Sequence, residues 1–219
     1  MQLYLFDTDL YVCKITTKTA LTLLQAHHYL GGVSVSAQCY GAYKNNTLLG
    51  VVCFGTPISD RVRVMVFGAE YKEHVSELSR LCLIPDCDVP ASKIVSLALK
   101  VLQADRKRLS LSKIHGVISF ADTYQNHHGG VYQSMSWFYV GQTTNIRYIY
   151  TDKTGRSRSS RQNGRDITPA KSVELGWSFV KRKTTKHRYI KFLGSKNQKR
   201  YFKNLLKMDI LPYPKTQKN

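Results

Sequence analysis

The spacing of apolar residues along this sequence predicts a mixed α/β fold, a sheet with helices on both of its faces. Three stretches carry that prediction: the hairpin signal "AQCYGAYKNNTLLGVVCFG", the helix pattern "SKIVSLALKVLQADRKR", and the buried-strand pattern "KIHGVISFA" that follows it. Taken in order, "LYVCKI" reads as a short strand. "TKTALTLLQAHHYL" reads as a helix with Ala20, Leu23, Leu24 and His27 on its apolar face, stopped by Gly31 and Gly32. Asn45 and Asn46 join two apolar runs in the manner of a hairpin turn. A loop rich in Arg and Val leads to "SELSRLCLI", where Leu78, Leu81 and Leu83 make an imperfect strand pattern.

Pro85 and Pro90 bracket the next loop, after which Ile94, Val95, Leu97, Ala98, Val101 and Leu102 share one face of the longest helix. Ser92 is its expected cap, and Lys and Arg gather at its end. Beyond "KIHGVISFA", "GGVYQSM" predicts a short helix, "WFYVGQTT" a strand and "RYIYTDKTG" its hairpin partner. Residues 152–184 read as an insertion, "HRYIKFLGS" as a late strand and "SKNQKRYFKNLLKM" as a final basic helix. The expected plan is a core over 1–150 and a basic extension over 151–219 packed on it.

At 219 residues and 25.0 kDa, one core with an appended lobe is the expectation. No apolar run approaches the ~20 residues that cross a bilayer, and "MQLYLFDTDL" carries acids where a secretion signal carries lysines. A protein of the cell interior, with no membrane partner, is expected. Cys13, Cys39, Cys53, Cys82 and Cys87 are an odd number and mostly sit in apolar runs, which fits reduced thiols rather than a disulfide framework or a zinc ribbon. The net charge of +19 is regional: residues 141–219 hold 20 Lys and Arg against 4 Asp and Glu, leaving 13 against 10 for residues 1–140. Such density draws a polyanion by counterion release, and interleaved aromatics such as Tyr148, Trp177 and Phe179 suit base stacking. Nucleic acid is the leading partner, with Arg156, Arg158, Arg161, Lys181, Arg182, Lys183, Lys186 and Arg188 as expected DNA contacts.

Candidate chemistry concentrates in "SFADTYQNHHGG". Asp122, where a strand gives way to a loop, fits either a general base or a carboxylate capping the next turn. Gly129 and Gly130 suit an anion nest, and His127 and His128 suit acid–base work or donor contacts. Asp122 with one histidine from each of the pairs His27/His28 and His127/His128 is a weaker alternative as a two-histidine, one-carboxylate iron site, since adjacent histidines diverge and each pair lends one ligand. Arg80, inside a strand pattern, suits a phosphate or carboxylate, a pair with Asp122, or an edge position reaching solvent. Tyr29 and Tyr124 are stacking candidates, and His28 a donor-binding one.

The strand and helix order also resembles the GCN5-related N-acyltransferase (GNAT) fold, which implies a mainly antiparallel sheet flanked by helices. In that fold a glycine-rich turn before the long helix holds the pyrophosphate of coenzyme A. Here the turn is "IPDCDVPAS", without glycine, which speaks against that cofactor. "HHYLGG", "VVCFG", "ELSRLCL", "VISFAD", "HHGGVYQSMSWFYVG", "KHRYIKFL" and "LPYPK", in this order and spacing, resemble the bacteriophage Mom family of DNA-modification proteins.

The resemblance implies conversion of DNA adenine to an N6-carbamoylmethyl form that hides phage DNA from host restriction enzymes, inside the bacterial cytoplasm. It favours Asp122 as the base acting on N6 of a flipped-out adenine. Tyr132 would be the acid that protonates the leaving group, Ser92 a donor contact, and double-stranded DNA the partner. The product's glycinamide skeleton suggests a glycyl donor such as glycyl-tRNA rather than acetyl-coenzyme A. Two other classes compete: an acyl-coenzyme A N-acetyltransferase acting on a protein or small amine, and a non-catalytic DNA-binding protein.

Overall fold

The computed structural model describes residues 4–7, 9–34, 37–57, 59–158, 161–162 and 165–214; the side chains of 4–7, 145, 147, 161, 162, 165 and 166 are outside that description. The chain opens with β1 (Tyr4–Asp7), β2 (Leu10–Ile15) and α1 (Thr17–His27), whose first turn is closed by the Thr16 hydroxyl accepting from the Thr19 N–H at 3.1 Å. β3 (Gln38–Lys44) and β4 (Thr47–Gly55) form the expected hairpin; Asn45 and Asn46 both have positive φ, 49° and 62°, as a tight turn between twisted strands requires. α2 (Asp60–Phe67) follows, then β5 (Val75–Leu83), α3 (Ala91–Arg108), β6 (Gly116–Asp122), α4 (Gly130–Ser134) and β7 (Phe138–Thr151). Three short strands, β8 (Ser157–Arg158), β9 (Arg161–Gln162) and β10 (Arg165–Asp166), precede α5 (Pro169–Glu174). β11 (Ser178–Phe192) and α6 (Lys196–Leu205) complete the fold.

Among the described residues the strands build a sheet in the order β1-β2-β3-β4-β5-β6-β11-β7-β8, with β9 and β10 paired apart from it. Only β5 and β6 run parallel; the other neighbours are antiparallel. The mixed, mainly antiparallel sheet with helices on both faces is thus present.

Side-chain alternation assigns the faces. Tyr40, Val52, Leu78, Val117, Tyr139 and Tyr189 bury against α3 on one side. Their odd-numbered neighbours in register, Cys39, Val51 and Cys53, bury under α1, while Ile118, Val140 and Ile190 meet Phe67 of α2 and Phe202 of α6. Trp137, Tyr40 and Tyr189 have no exposed surface, so the core is heavily aromatic.

Several expectations are corrected. Ser92 does not cap α3: Pro90 occupies the cap with φ −56° and ψ 133°, its carbonyl accepting from Lys93 at 2.9 Å, so Ser92 is the second helical residue. "WFYVGQTT" and "RYIYTDKTG" are not hairpin partners but one strand, β7. Gly141, at φ +86°, is not a turn; it and Val140 face Arg188 alone, a bulge that lets the strand bend and continue. The partner of β7 is β11, which starts at Ser178 and fills the centre of the sheet between β6 and β7. A boundary at 150/151 would therefore cut a strand. α2 occupies the expected loop, started by the Ser59 hydroxyl, which is 3.4 Å from the Val62 N–H. His27 is exposed rather than part of the apolar face of α1.

β11 pairs with β6 only from Lys186 to Phe192, whereas its pairing with β7 extends back to Ser178. The outer half of the β7–β11 hairpin is a two-stranded arm that leaves the sheet at the end where β6 finishes. Its tip is tied together by Tyr150, 1% exposed, whose hydroxyl donates to the Ile167 carbonyl at 2.5 Å, and by Trp177 and Phe179 packed around that ring.

Candidate active site

β5 and β6 pair from Val75/Gly116 to Leu78/Ser119 and then separate, although β5 continues to Leu83 and β6 to Asp122. Parallel strands that part midway leave a wedge with unshared edges, and a cavity of about 600 Å³ occupies it. β5 contributes Glu77 and Arg80, β6 contributes Phe120 and Ala121, the end of α1 contributes His28 and Tyr29, and the loop before α4 contributes His127 to Gly130. Tyr132 of α4 and Lys186 of β11 complete the wall.

Of the residues singled out from sequence, Arg80, His28, Tyr29, His127, His128, Gly129, Gly130, Tyr132 and Lys186 are therefore brought together. Arg80 neither ends on Asp122 nor reaches out as an edge residue. Its Nε donates to the Gly32 carbonyl at 2.6 Å and Nη1 to the Ser79 carbonyl at 2.5 Å, which holds a guanidinium in the wall. Burial lowers its pKa from the ordinary value, but arginine stays charged. That cation shapes its neighbour. The His28 imidazole is driven down to about 4 by burial, by Arg80 and by His127, so it is neutral near pH 7. Its Nδ1 accepts from the Leu30 N–H at 3.1 Å, which puts the remaining proton on Nε2, and its ring stacks on Tyr29 with centroids 4.6 Å apart.

Tyr132 sits at the apex of the wedge. The Ser119 hydroxyl is 2.8 Å from both the Leu78 carbonyl oxygen and Tyr132 Oη, and it has one proton for two acceptors. When that proton goes to Tyr132, the phenolic proton is available to a group in the cavity; when it goes to Leu78, Tyr132 donates to Ser119. Burial raises the Tyr132 pKa, so the phenol keeps its proton.

The loop beneath the histidines is fixed by glycine. Gly129 has φ +81° and is buried, and a Cβ there would lie 2.3 Å from the Tyr189 ring. Tyr189 in turn donates from its hydroxyl to the His128 carbonyl at 2.6 Å, and Gln133 Nε2 donates to the same carbonyl at 3.0 Å. Gly130 is different: a Cβ there meets nothing within 4 Å.

Asp122 is not among the lining residues. Its Oδ1 accepts from the Tyr124 N–H at 3.1 Å and its Oδ2 lies 3.5 Å from Lys186 Nζ. Two more contacts join the same turn to β11: the Thr123 hydroxyl donates to the Thr185 carbonyl at 2.8 Å, and Arg182 lies 5.0 Å from the centre of the Tyr124 ring. The carboxylate caps and braces a turn clamped to the arm, as in the capping alternative for Asp122, and Tyr124 packs within that clamp. Ser92 is also absent from the lining; its neighbour Ala91 is present.

Glu77 is the residue that sequence reading missed. It is the one carboxylate among the described lining residues, and its signal, an acid in an otherwise apolar strand pattern three residues before Arg80, was available. His187 was missed as well: it is 5% exposed, with Nδ1 3.1 Å from Tyr139 Oη and its ring 6.0 Å from that of His128. Among the described residues no three His, Cys, Asp or Glu side chains gather as metal ligands, and Asp122 and His127 are not joined in such a set.

A second cleft, of about 760 Å³, shares His28, Tyr29 and Leu30 with the cavity, and Arg156 and Arg158 of the arm tip form its far side. The arm therefore folds back towards the cavity mouth. Arg156, Lys181, Arg182 and Lys183 are exposed, while Arg158 is paired with Asp152. Arg188 is half-buried with an Nε that has no partner, so it belongs to the sheet rather than to the exposed cations. The Arg161 side chain lies outside the described residues.

The turn before α3 also bears on a cofactor. Pro90 offers no N–H at the helix start, and Asp86 and Asp88 place two carboxylates in the turn, Asp88 paired with Lys44. These residues do not fit the pyrophosphate of coenzyme A.

The chain is similar to solved acetyltransferase structures: an N-acetyltransferase from Staphylococcus aureus, at 10% identity and TM-score 0.47 over 85% of this chain and 100% of that one, is one of them. Another is a GNAT family acetyltransferase from Elizabethkingia anophelis with acetyl-coenzyme A bound, at 14% identity and TM-score 0.41 over 85% and 100%. In sequence it is 28% identical over 214 residues to the methylcarbamoylase mom of Escherichia phage Mu, covering 94% of this chain and 84% of that protein. The sequence pattern of the Mom protein family matches residues 9–215, and the chain belongs to that family.

Proposed function

We propose that this transferase modifies adenine in double-stranded phage DNA by acyl transfer to N6 of a flipped-out base, with the wedge between β5 and β6 as the reaction chamber. The observation that carries this reading is the joining of a cavity of about 600 Å³, walled by Glu77, Arg80 and Tyr132, to a cleft under the basic arm. The arm supplies phosphate contacts, and Tyr29 and His28, shared by both spaces, are placed to receive the base.

The donor that suits the residues is a glycyl ester, such as glycyl-tRNA, since the turn before α3 does not suit a pyrophosphate. N6 attacks the glycyl carbonyl and an N–C bond forms. The N6 proton passes to Glu77, Arg80 faces the developing oxyanion, the C–O ester bond breaks, and Tyr132 protonates the departing ribose oxygen. The glycyl amine then attacks ring carbon six and displaces the original N6, which becomes the carboxamide nitrogen; this second step is an isomerisation and yields the carbamoylmethyl product.

Incubation of the purified protein with duplex DNA and glycyl-tRNA, without coenzyme A thioesters, is expected to yield a heavier adenine nucleoside by mass spectrometry. Glu77→Gln and Tyr132→Phe should each slow its formation by about 10²–10⁴-fold. Product formed only with an acyl thioester would overturn the donor. Tight binding of DNA that stays unmodified under every donor would overturn the transferase reading.

A further inference from the structure

The basic C-terminal part of the chain reads as one region in sequence, but the fold divides it. The arm cations Lys181, Arg182 and Lys183 lie on β11 before Lys186, which pairs with Asp122 at the cavity end of β6. Lys191 and Phe192 lie at the other end of β11, where Phe192 pairs with Gly116 at the start of β6. Eight residues of extended strand separate Lys183 from Lys191, about 26 Å at the usual rise.

At that far end Lys191, Lys199, Arg200 and Lys203 line a depression of about 250 Å³ with Ser136, Phe138 and Phe192, and no carboxylate is among the lining residues. α6 is the reason the cations meet: residues 199, 200 and 203 fall on one helical stripe, while Phe202 turns into the core, 5% exposed. The helix start is fixed by a reciprocal cap between Ser195 and Gln198, with Ser195 N–H donating to Gln198 Oε1 at 3.0 Å. Lys203 lies 4.7 Å from the centre of the Phe138 ring, and Lys191 donates to the Met135 carbonyl at 2.6 Å. Burial and the nearby Lys199 lower the pKa of Lys191. Like charges crowded in this way favour an anion between them.

We propose that this depression on α6 is a second polynucleotide site, which takes the backbone phosphates of a strand other than the one held by the arm. Phe138 and Phe192 form a floor beneath the cations rather than an open stacking platform, and Ser136 is the one neutral polar side chain in the lining. The site therefore reads phosphate and not base sequence. The arm cations and the depression lie at opposite ends of β11, about 26 Å apart, so occupancy of one by a strand leaves the other to be tested on its own.

The arm as a DNA site belongs to the function proposed above; the α6 site has its own probe and fails separately. Fluorescence anisotropy would follow a labelled 30-nucleotide single-stranded RNA and a labelled DNA duplex with three proteins. These are the intact chain, K199Q/R200Q/K203Q, and K181Q/R182Q/K183Q. The three α6 residues are exposed, and circular dichroism is the check that their variant folds.

RNA affinity is expected to fall at least tenfold in the α6 variant. The slope of log affinity against log salt should lose about 2, from roughly 0.7 per phosphate contact. Duplex affinity should stay within twofold. The arm variant should show the reverse, and excess unlabelled duplex should leave RNA bound to the intact chain. RNA binding unchanged in the α6 variant would overturn the proposal. So would a duplex that loses as much affinity as the RNA in that variant, or that displaces the RNA completely.

Discussion

Replacing Gly129 with Ala tests whether the histidine loop is held by backbone conformation. The φ of +81° places the residue in the left-handed region, which costs a residue with a Cβ about 1–2 kcal/mol. The added methyl also meets the Tyr189 ring at 2.3 and 2.5 Å and its hydroxyl oxygen at 2.8 Å, and Tyr189 is fully buried with no room to retreat. Overpacking of this kind costs about 1–3 kcal/mol, so the expected loss is roughly 2–5 kcal/mol. With a urea dependence of about 2 kcal/mol per molar, the unfolding midpoint should fall by about 1–2.5 M.

Modification activity should fall in Gly129→Ala as well, because Tyr189 is what anchors the His128 carbonyl. The matched control is Gly130→Ala. Its Cβ meets nothing within 4 Å and it sits in the first turn of α4, so stability should change by no more than about 0.5 kcal/mol, about 0.25 M in the midpoint. Equal effects of the two substitutions, or a Gly129→Ala midpoint unchanged within error, would refute the reasoning.

His28 gives a pH signature. Its folded value of about 4 lies below the ordinary 6.5, so its contribution to stability is complete above pH 6.5. It is lost as the pH falls from 6.5 towards 4, where the unfolded chain takes up the proton first. Urea midpoints measured across that window should decline less in His28→Asn than in the intact chain. Asp122→Asn separates brace from base: it keeps an oxygen for the Tyr124 N–H and loses the charge facing Lys186. Turnover should therefore stay within about tenfold of the intact protein, with a stability loss of about 1 kcal/mol in urea titration, whereas Glu77→Gln should lose nearly all turnover.

The parts of the fold that local chemistry dictates were legible in the sequence. The Asn45–Asn46 turn and the apolar face of α3 each depend on neighbours within a few positions, whereas α1 ends at His27, before the glycine pair that was expected to stop it. What was not legible depends on partners far away. β7 looked like two strands because the polar run "QTTN" divides its apolar stretches, and only the pairing with β11 across residues 143–146 shows that the strand continues. The outer half of β11 looked like insertion because "SFVKRK" has both faces in solvent, so no apolar alternation marks it.

The site was legible as a set of residue types more than as roles. Arg80, His28, His128 and Tyr132 meet in one cavity although 104 positions separate the outermost two. Asp122 stands out in sequence because it closes a strand before a loop, whereas Glu77 comes to the cavity wall only through the parting of β5 from β6, strands far apart in the chain. Ser92 missed the cap because the helix begins earlier, with Pro90 at the cap position and no side-chain cap bond.

The arm has an evolutionary consequence. Every pair between β11 and β6 lies at or beyond Lys186, so among the described residues the tip from 152 to 177 joins the sheet through its two stalks. A different tip of roughly 26 residues on the same stalks would leave the pairing of β5 with β6 intact while changing the far side of the cleft at the chamber mouth. Recognition of new DNA contexts would then diversify at a pace of its own, set by the tip and not by the chemistry.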